Sequence, residues 1–163
     1  MGIEFWKTTE FSRGLILDLL QDAYSFDPNY ERCWQENWRQ TDDFLFNNRQ
    51  IAERYSFVTT LHGEPIGFIV WDPRNLPAHV EIGHNCIRTS HKGKGYGKLQ
   101  LLEAMNRIRA MGAKKIIVTT NENLVSAQKN YESAGFLCVR KRMNPDTPEV
   151  AGPYMDYECV AEY

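Results

Sequence analysis

The sequence predicts one domain of mixed α/β class over residues 1–163, and three observations lead to that prediction. Seven short segments are rich in β-branched and aromatic residues, which is typical of strands. Four longer segments repeat apolar residues at helical spacing. Between residues 79 and 120, a strand, a glycine-rich turn, a helix and another strand follow in order. Such a unit favours a parallel strand pair with a right-handed crossover.

The first third of the chain predicts a short strand at residues 3–7 and two helices. Apolar residues at helical spacing predict the first helix over residues 11–25, with Thr8, Thr9 and Ser12 as candidate N-caps. The second helix is predicted over residues 29–47, with an aromatic stripe that faces the core. We expect the acidic residues of its other face, among them Asp42 and Asp43, to face solvent.

The middle of the chain predicts three strands and a helix. Residues 55–61 and 66–71 are β-rich and flank a turn that contains Gly and Pro, so they predict a hairpin. Residues 79–88 form the strand that enters the glycine turn, and Gly112 suits the C-terminal cap of the helix that follows. The apolar face predicted for that helix consists of Leu101, Leu102, Met105 and Ile108.

The last third of the chain predicts three strands around one helix. Asn123 suits the N-cap of a helix over residues 124–134, which Gly135 ends. The strands are predicted at residues 115–120, 136–141 and 154–160, with a proline-containing loop at 143–153.

Composition and charge exclude several function classes. The net charge is −2 at pH 7, so no overall basic field indicates a nucleic-acid partner. Apolar runs are too short to span a bilayer, and Glu4 and Lys7 interrupt any signal-peptide core, so we expect a cytoplasmic protein without a membrane partner. The four cysteines are scattered and lack the spacing of a zinc site, which predicts buried thiols and no metal.

A basic glycine-rich turn carries the clearest functional signal. Its residues are Lys92, Gly93, Lys94, Gly95, Tyr96, Gly97 and Lys98. Glycines let the backbone bend tightly and approach a ligand closely. The turn opens a helix, whose unpaired N–H groups and dipole attract anions, and the lysines add positive charge. The turn is therefore predicted to bind phosphate groups.

The glycine spacing distinguishes three phosphate-binding motifs. A nucleoside-triphosphate loop requires Ser or Thr after Gly-Lys, whereas Leu99 follows here. The dinucleotide fingerprint requires its third glycine where Lys98 stands. The spacing instead matches the pattern [R/Q]-x-x-G-x-[G/A], with Gly95 and Gly97 in place and Lys92 where Arg or Gln is usual.

A second motif, N-x-x-x-A-x-x-x-Y-x-x-x-G-F, follows downstream. Its residues are Asn123, Ala127, Tyr131, Gly135 and Phe136. The two motifs, in this order and separation, resemble those of the GNAT superfamily of N-acetyltransferases, and the resemblance covers nearly the whole chain.

The resemblance implies both a fold and a coenzyme. The fold is a central mixed seven-stranded sheet, splayed between its fourth and fifth strands and flanked by about four helices. Acetyl-CoA is the implied acetyl donor, with its pantetheine arm in the splay beside the backbone of Cys86, Ile87 and Arg88. The remaining coenzyme contacts are assigned to Lys92, to the turn from Gly93 to Lys98, and to Asn123.

The same resemblance implies direct transfer to an amine. A neutral amine attacks the thioester carbonyl, so a base must take the amine's proton and an acid must meet the leaving thiolate. Tyr131 is the implied acid. Glu81 and His84 are the candidate bases, with ordered water as a third choice. Strand alternation predicts that Glu81 and His84 face opposite sides of the sheet, unless a bulge lies between them.

Two other function classes fit part of the sequence. A dinucleotide-binding oxidoreductase would use the strand–turn–helix–strand order and Glu122. A non-catalytic acyl-CoA sensor of the same fold would keep the phosphate cradle and need no proton-transfer residues. In the acetyltransferase interpretation the acceptor is a small-molecule or peptide amine, and a homodimer is compatible with the sequence.

Overall fold

Seven strands form one mixed sheet in the computed structural model, which describes residues 2–143 and 152–160. The strands are β1 (Ile3–Trp6), β2 (Ser56–Leu61), β3 (Glu64–Asp72), β4 (Val80–Ile87), β5 (Lys115–Asn121), β6 (Leu137–Arg142) and β7 (Tyr154–Val160). Their order across the sheet is β1-β2-β3-β4-β5-β7-β6. The β4–β5 pair is parallel and the other neighbours are antiparallel, so the predicted mixed sheet is confirmed.

Five α-helices flank the sheet among the described residues, where the prediction was about four. They are α1 (Leu15–Ala23), α2 (Pro28–Asn47), α3 (Arg49–Tyr55), α4 (Tyr96–Ala110) and α5 (Val125–Ser133). Short 3-10 helices lie at Thr8–Glu10 and Thr89–His91. The helix that the sequence analysis missed is α3. It buries only Ala52 among its seven residues and therefore leaves little periodic signal.

Two hydrophobic cores lie on the two faces of the sheet. One core packs α4 and α5 against β2, β3, β4, β5 and β7 and includes Phe136 and Tyr157. The other packs α1, α2 and α3 against β2, β3 and β4. The aromatic stripe predicted along α2 faces this second core, where Tyr24 stacks on Tyr30 and Trp38 at centroid distances of 5.2 and 5.5 Å. Both cores contain residues of β4, so the two faces of this strand contact different helices.

The first helix is capped by a residue distant in sequence. Helix α1 begins later than predicted, and its N-cap residue is Gly14, so the predicted hydroxyl cap is wrong. The Asp42 carboxylate of α2 instead accepts hydrogen bonds from the N–H groups of Gly14, Ile16 and Leu17. Asp42 is 3% exposed, so the prediction that it faces solvent is wrong, whereas Asp43 is exposed as predicted.

Strands β4 and β5 pair only over their first residues. The pairing ends where Ile82 meets Val118, although β4 continues to Ile87 and β5 to Asn121. The two strands therefore separate toward their carboxyl ends. This is the splay that the resemblance implied, and it opens beside the glycine turn that follows β4.

Three further predictions differ from the structure or lie outside it. Leu102, predicted on the apolar face of α4, is 37% exposed, while the other three residues of that face are buried. Cys138 is exposed on the edge strand β6, against the prediction of buried thiols. The loop predicted over residues 143–153 lies mostly outside the described residues. Within the described ranges, no helix combines the length and apolar character needed to cross a membrane.

Candidate active site

The glycine turn leads into α4 and leaves the N-terminus of this helix without a side-chain cap. Gly93 and Gly95 have φ angles of 75° and 87°, which residues with side chains rarely adopt. Gly95 is the N-cap residue, and no side chain caps the helix there. The N–H groups of Tyr96, Gly97 and Lys98 belong to the first turn, which has no acceptor inside its own helix. Such a group of donors at the positive end of a helix dipole favours an anion.

Contacts with α1 fix this turn in place. The Thr89 N–H donates to the Asp22 carboxylate at 2.8 Å. The Lys92 ammonium donates to the Ala23 carbonyl and lies 5.0 Å from the centroid of the Phe26 ring. A cation is favoured at this position because it lies at the C-terminal end of a helix. The Lys92 side chain is thus directed toward α1, and the turn presents its backbone to a ligand.

The end of β4 directs alternate backbone groups toward the splay. The Arg88 N–H donates to the Ile66 carbonyl at 2.7 Å, and Cys86 pairs with Phe68 of β3. Successive residues of a strand direct their backbone hydrogen bonds to opposite sides. Ile87 therefore directs its N–H and C=O away from β3 and into the splay. Of the three predicted contacts on this strand end, Ile87 is the one placed to bond an extended ligand there.

Helices α4 and α5 approach each other closely at Gly97. A β-carbon at this position would lie 2.9 Å from Asn130 Nδ2 and 3.6 Å from Ile87 Cγ1. The first distance is shorter than side-chain carbons adopt, so the Asn130 side chain would have to move if position 97 carried a β-carbon. Gly97 belongs to the first motif and Asn130 to the helix of the second, so this contact brings the two motifs together.

Tyr131 is buried on α5 with its hydroxyl against β4. The residue is 4% exposed, and its ring packs against Phe136 and Tyr157 at centroid distances of 5.6 and 5.9 Å. Its hydroxyl oxygen accepts a hydrogen bond from Asn85 Nδ2 at 3.3 Å. Burial raises the pKa of Tyr131, and the hydrogen bond from Asn85 opposes part of that rise. The hydroxyl therefore keeps its proton at neutral pH.

Two residues beside Tyr131 were missed by the sequence analysis. Gln100 of α4 is fully buried, and its Nε2 donates to Asn85 Oδ1 at 2.7 Å. A signal for Gln100 exists in the sequence, because it lies four residues before the buried Ala104 on an otherwise apolar helix face. Asn85 lacks such a signal, since a polar residue near the end of a strand is ordinary.

Asn123 lies beside the end of the splay but does not cap α5. The N-cap residue is Leu124, so the predicted capping role of Asn123 is wrong. The Asn123 N–H instead donates to Asn121 Oδ1 at 2.8 Å. Asn121 is the last residue of β5 and is 1% exposed. This Asx-type turn leads the chain from β5 into α5.

Glu81 and His84 share a face of β4, so the prediction of opposite faces is wrong. On β3, Val70 pairs with His84 and the next residue, Trp71, pairs with Ile82. Gly83 is therefore an extra residue on β4, which is a β-bulge, and it restarts the side-chain alternation. A glycine inside a strand pattern is the available sequence signal for such a bulge.

The surroundings of the two candidate bases differ. Burial lowers the pKa of His84 to about 4, so the ring is neutral at pH 7. Its Nε2 lies 3.4 Å from Thr41 Oγ1 of α2. Glu81 is exposed and lines a cavity of ≈ 420 Å³, together with Arg142 and Asp156. Burial would raise the pKa of Asp156, but hydrogen bonds, that from Arg142 foremost, hold it at about 2. A carboxylate and a charged ion pair thus border this cavity.

Tyr24 is a further residue near the site that no motif marked. It is the C-cap residue of α1. Burial raises its pKa, and the nearby Cys86, Tyr131 and Tyr30 raise it further. The Tyr24 side chain of α1 is therefore near Tyr131 of α5. Among the residues that the structure describes, no group of three or more His, Cys, Asp or Glu is arranged to hold a metal ion.

Solved structures with the same fold are numerous but distant in sequence. The ribosomal-protein-S18-alanine N-acetyltransferase of Escherichia coli is 18% identical, with a TM-score of 0.73, over 99% of this chain and 94% of that one. The yncA protein of Salmonella typhimurium, solved with its cofactor acetyl-CoA, is 12% identical, with a TM-score of 0.75, over 100% and 96% of the two chains. A chain of the NatC complex, solved with Gag peptide and CoA, is 18% identical, with a TM-score of 0.70, over 98% and 99%. These likenesses show the fold.

The sequence itself matches one family model. No protein of curated function matches the chain. The model of the acetyltransferase (GNAT) family matches residues 19–136, which is more than half of the chain and includes both motifs up to the closing Phe136. The chain therefore belongs to the GNAT acetyltransferase family.

Proposed function

We propose that this chain transfers an acetyl group from acetyl-CoA to a primary amine by direct attack in a ternary complex. The observation that carries the proposal is one continuous path. The β4–β5 splay leads to the open glycine turn, and the Tyr131 hydroxyl bonds Asn85 on the part of β4 that borders the splay. Membership of the family and the acetyl-CoA complex of yncA support the choice of donor.

The coenzyme is proposed to lie along this path. Its pantetheine arm takes the place of a strand beside β4 and bonds the backbone of Ile87, between Cys86 and Arg88. Its pyrophosphate accepts hydrogen bonds from the turn between Gly93 and Lys98. The exposed ammonium groups of Lys94 and Lys98 add positive charge. Contacts of Lys92 and Asn123 with the coenzyme remain predictions. Because the Lys92 side chain is directed toward α1, we expect its backbone N–H, and not its ammonium group, to contact the coenzyme.

The reaction forms one bond and breaks one. The lone pair of a neutral amine attacks the thioester carbon, a C–N bond forms, and the carbonyl electrons move to oxygen. A backbone N–H of β4 is the proposed donor to that oxyanion. The intermediate then collapses, the C–S bond breaks and its electron pair goes to sulfur. The amine's proton passes to a base, and the sulfur takes a proton from an acid, so no covalent enzyme intermediate is required.

Tyr131 is the proposed acid. A buried phenol with a raised pKa carries its proton at every physiological pH. A coenzyme A thiolate has a pKa near that of cysteine, about 8.5. The phenol therefore donates a hydrogen bond to the sulfur as the C–S bond breaks, its proton passes to the sulfur, and the resulting phenolate takes a proton from solvent.

The base is proposed to be Glu81 or ordered water in preference to His84. Burial disfavours the imidazolium form, so the His84 ring takes up a proton reluctantly. Glu81 shares the face of β4 with His84 and borders the cavity, where an acceptor amine and water both have room. Comparison of the pH–rate profiles of Glu81→Gln and His84→Ala tests this order. If only His84→Ala loses the acidic limb of the pH–rate profile, His84 is the base and this order of preference is wrong.

The acceptor is proposed to be a primary amine of a small molecule or a peptide. The Escherichia coli structure is named for a protein alanine, and the NatC chain was solved with a peptide, so peptide amines belong in any screen. A cytoplasmic location and a homodimer remain predictions.

Two measurements test the proposal. Thermal unfolding is followed with acetyl-CoA, desulfo-CoA, NADH and ATP in parallel, because a ligand at a hundred times its Kd adds about 2.7 kcal/mol. The coenzyme A compounds alone should raise Tm, by about 5–10 °C. Thiol release is then measured with small-molecule and peptide amines. A shift with NADH alone favours the oxidoreductase. Coenzyme A binding without thiol release for any amine favours the sensor, and either outcome overturns the proposal.

A further inference from the structure

A series of hydrogen bonds runs from β2 to α5 through polar side chains, of which Asn85 is half-buried and the others are buried. Thr59 Oγ1 donates to Gln100 Oε1 at 2.7 Å, and Gln100 Nε2 donates to Asn85 Oδ1 at 2.7 Å. Asn85 Nδ2 then donates to the Tyr131 hydroxyl oxygen at 3.3 Å. Thr59 and Gln100 are fully buried and Tyr131 is 4% exposed. Burying an amide such as that of Gln100 costs free energy unless it is hydrogen-bonded, so its place in the core indicates a specific role.

Two backbone carbonyl groups, which can only accept hydrogen bonds, fix which atom donates in each of these hydrogen bonds. Gln100 Nε2 faces the carbonyl oxygens of Phe68 at 3.0 Å and Cys86 at 3.1 Å. A carbonyl only accepts, so the Gln100 amide has one allowed orientation. The oxygen of Asn85 must then face Gln100, and its NH₂ must face Tyr131. The phenol oxygen consequently accepts, and its own hydrogen must point elsewhere.

We propose that Asn85, held by Gln100, is a positioning residue that makes Tyr131 donate its proton into the β4–β5 splay. This inference rests on the proposed role of Tyr131 as the acid. Asn85 and Gln100 touch neither substrate nor coenzyme in this assignment and act through the phenol. The Asn85 hydrogen bond also stabilises the phenolate that forms when the proton is shared with sulfur.

Within residues 2–143 and 152–160, the titratable groups around the Tyr131 hydroxyl keep one charge state near neutral pH. The neighbouring titratable groups are Tyr24 at the end of α1, Tyr157 on β7 and Cys86 on β4. Burial raises the pKa of Tyr157 and of Cys86 to about 12, and the pKa of Tyr24 is raised further. His84 lies on the opposite face of β4 from Asn85. Near neutral pH, the effect of a carboxyl group introduced at position 85 can therefore be separated from the titration of these neighbours.

The substitution Asn85→Asp tests the direction of the bond while keeping side-chain volume. One carboxylate oxygen still accepts from Gln100, but the other can only accept from Tyr131 and so pulls the proton away from the splay. We expect kcat at pH 8 to fall about 10²-fold, as for Tyr131→Phe, with KM for acetyl-CoA within about threefold of the wild type. When the introduced carboxyl is protonated it can donate again, so the kcat ratio to the wild type should recover toward pH 5.

Two further variants separate this role from a purely structural one. Asn85→Ala removes the bond without reversing it, so its kcat ratio should show no recovery at low pH. Thr8→Val removes a comparably buried hydrogen bond to Ser56, 2.7 Å long and outside the site, and should lower Tm without changing kcat. Combining Asn85→Asp with Tyr131→Phe should reduce kcat no further than Tyr131→Phe alone.

A second readout needs no acceptor. The ¹³Cζ signal of Tyr131, assigned by its loss in Tyr131→Phe, should shift in Asn85→Asp and follow the titration of the new carboxyl above its ordinary pKa of about 3.9. The positioning role alone is overturned if the signal does not move in Asn85→Asp. It is also overturned if Asn85→Asp keeps full kcat at pH 8 while Tyr131→Phe is impaired. Full kcat in Tyr131→Phe instead overturns the proposed acid, and the positioning role fails with it.

Discussion

Removal of the Asp42 carboxylate is expected to destabilise the protein far more than removal of its neighbour Asp43. Both residues lie on α2 and carry the same charge. Asp42 is 3% exposed and caps the start of α1, whereas the Asp43 side chain is 53% exposed and pairs with Arg13 at 2.8 Å. The two substitutions to alanine thus compare a buried cap with a surface ion pair on one helix.

The magnitude follows from the N–H groups left behind. In Asp42→Ala the N–H of the buried Ile16 loses its acceptor, which costs about 1–3 kcal/mol. The half-buried Leu17 N–H adds about 1 kcal/mol, while water can reach the exposed Gly14. The sum is about 3 kcal/mol, against a total stability of about 5–15 kcal/mol. For Asp43→Ala the expected loss is about 0–1 kcal/mol, typical of an exposed pair.

Urea unfolding at equilibrium measures both variants, with Tm as a check. Asp42→Ala should lower Tm by about 6–12 °C, and Asp43→Ala by about 0–4 °C. Asp42→Asn offers a graded case, because one amide oxygen can still accept from Ile16 and Leu17 although the charge is lost. Its loss of stability should fall between the other two. Equal stability of Asp42→Ala and Asp43→Ala would refute the capping argument.

Three other outcomes are expected. Tyr131→Phe should lower kcat about 10²-fold with little change in the Kd of acetyl-CoA by calorimetry, and equal turnover in the two proteins would remove the acid assignment. Gly97→Ala should weaken acetyl-CoA binding because a β-carbon would lie 2.9 Å from Asn130 Nδ2, and adding Asn130→Ala should restore affinity if this clash is the cause. The pKa of His84 is lowered to about 4, so the unfolded chain binds a proton there that the folded chain does not between about pH 6.5 and 4. The free energy of unfolding should therefore fall by up to about 3 kcal/mol as the pH falls through that range. In His84→Gln, the free energy of unfolding measured in urea should depend less on pH.

The sequence was sufficient for the architecture because its signals were local and repeated. All seven strands were predicted, and the glycine turn and helix α4 followed from residues adjacent in the chain. Helix α3 was missed because its local signal is weak, and the errors at Asp42 and Asn85 concern contacts between distant residues. Nothing near Asp42 in sequence shows that its carboxylate meets the start of α1. Likewise, the NH₂ group of Asn85 gains its role only because Gln100 and Tyr131 reach it from two different helices.

The bulge at Gly83 shows how one such nonlocal feature shapes the whole candidate site. Before the bulge, Val80 and Ile82 face the core under α4 and α5. With regular alternation His84 and Cys86 would follow them, yet Cys86 lies in the opposite core and Asn85 bonds Tyr131 instead.

One extra residue therefore brings two requirements together on a single strand. It turns Asn85 toward Tyr131, the proposed acid, because the alternation restarts after Gly83. It also brings His84 to the face that Glu81 already occupies, so both candidate bases border the same side of the sheet. A strand without the bulge would place the two bases on opposite faces, and with Val80 and Ile82 kept in their core it would also turn Asn85 away from Tyr131. The geometry of proton transfer proposed for this protein thus depends on Gly83, a residue that bears no chemistry of its own.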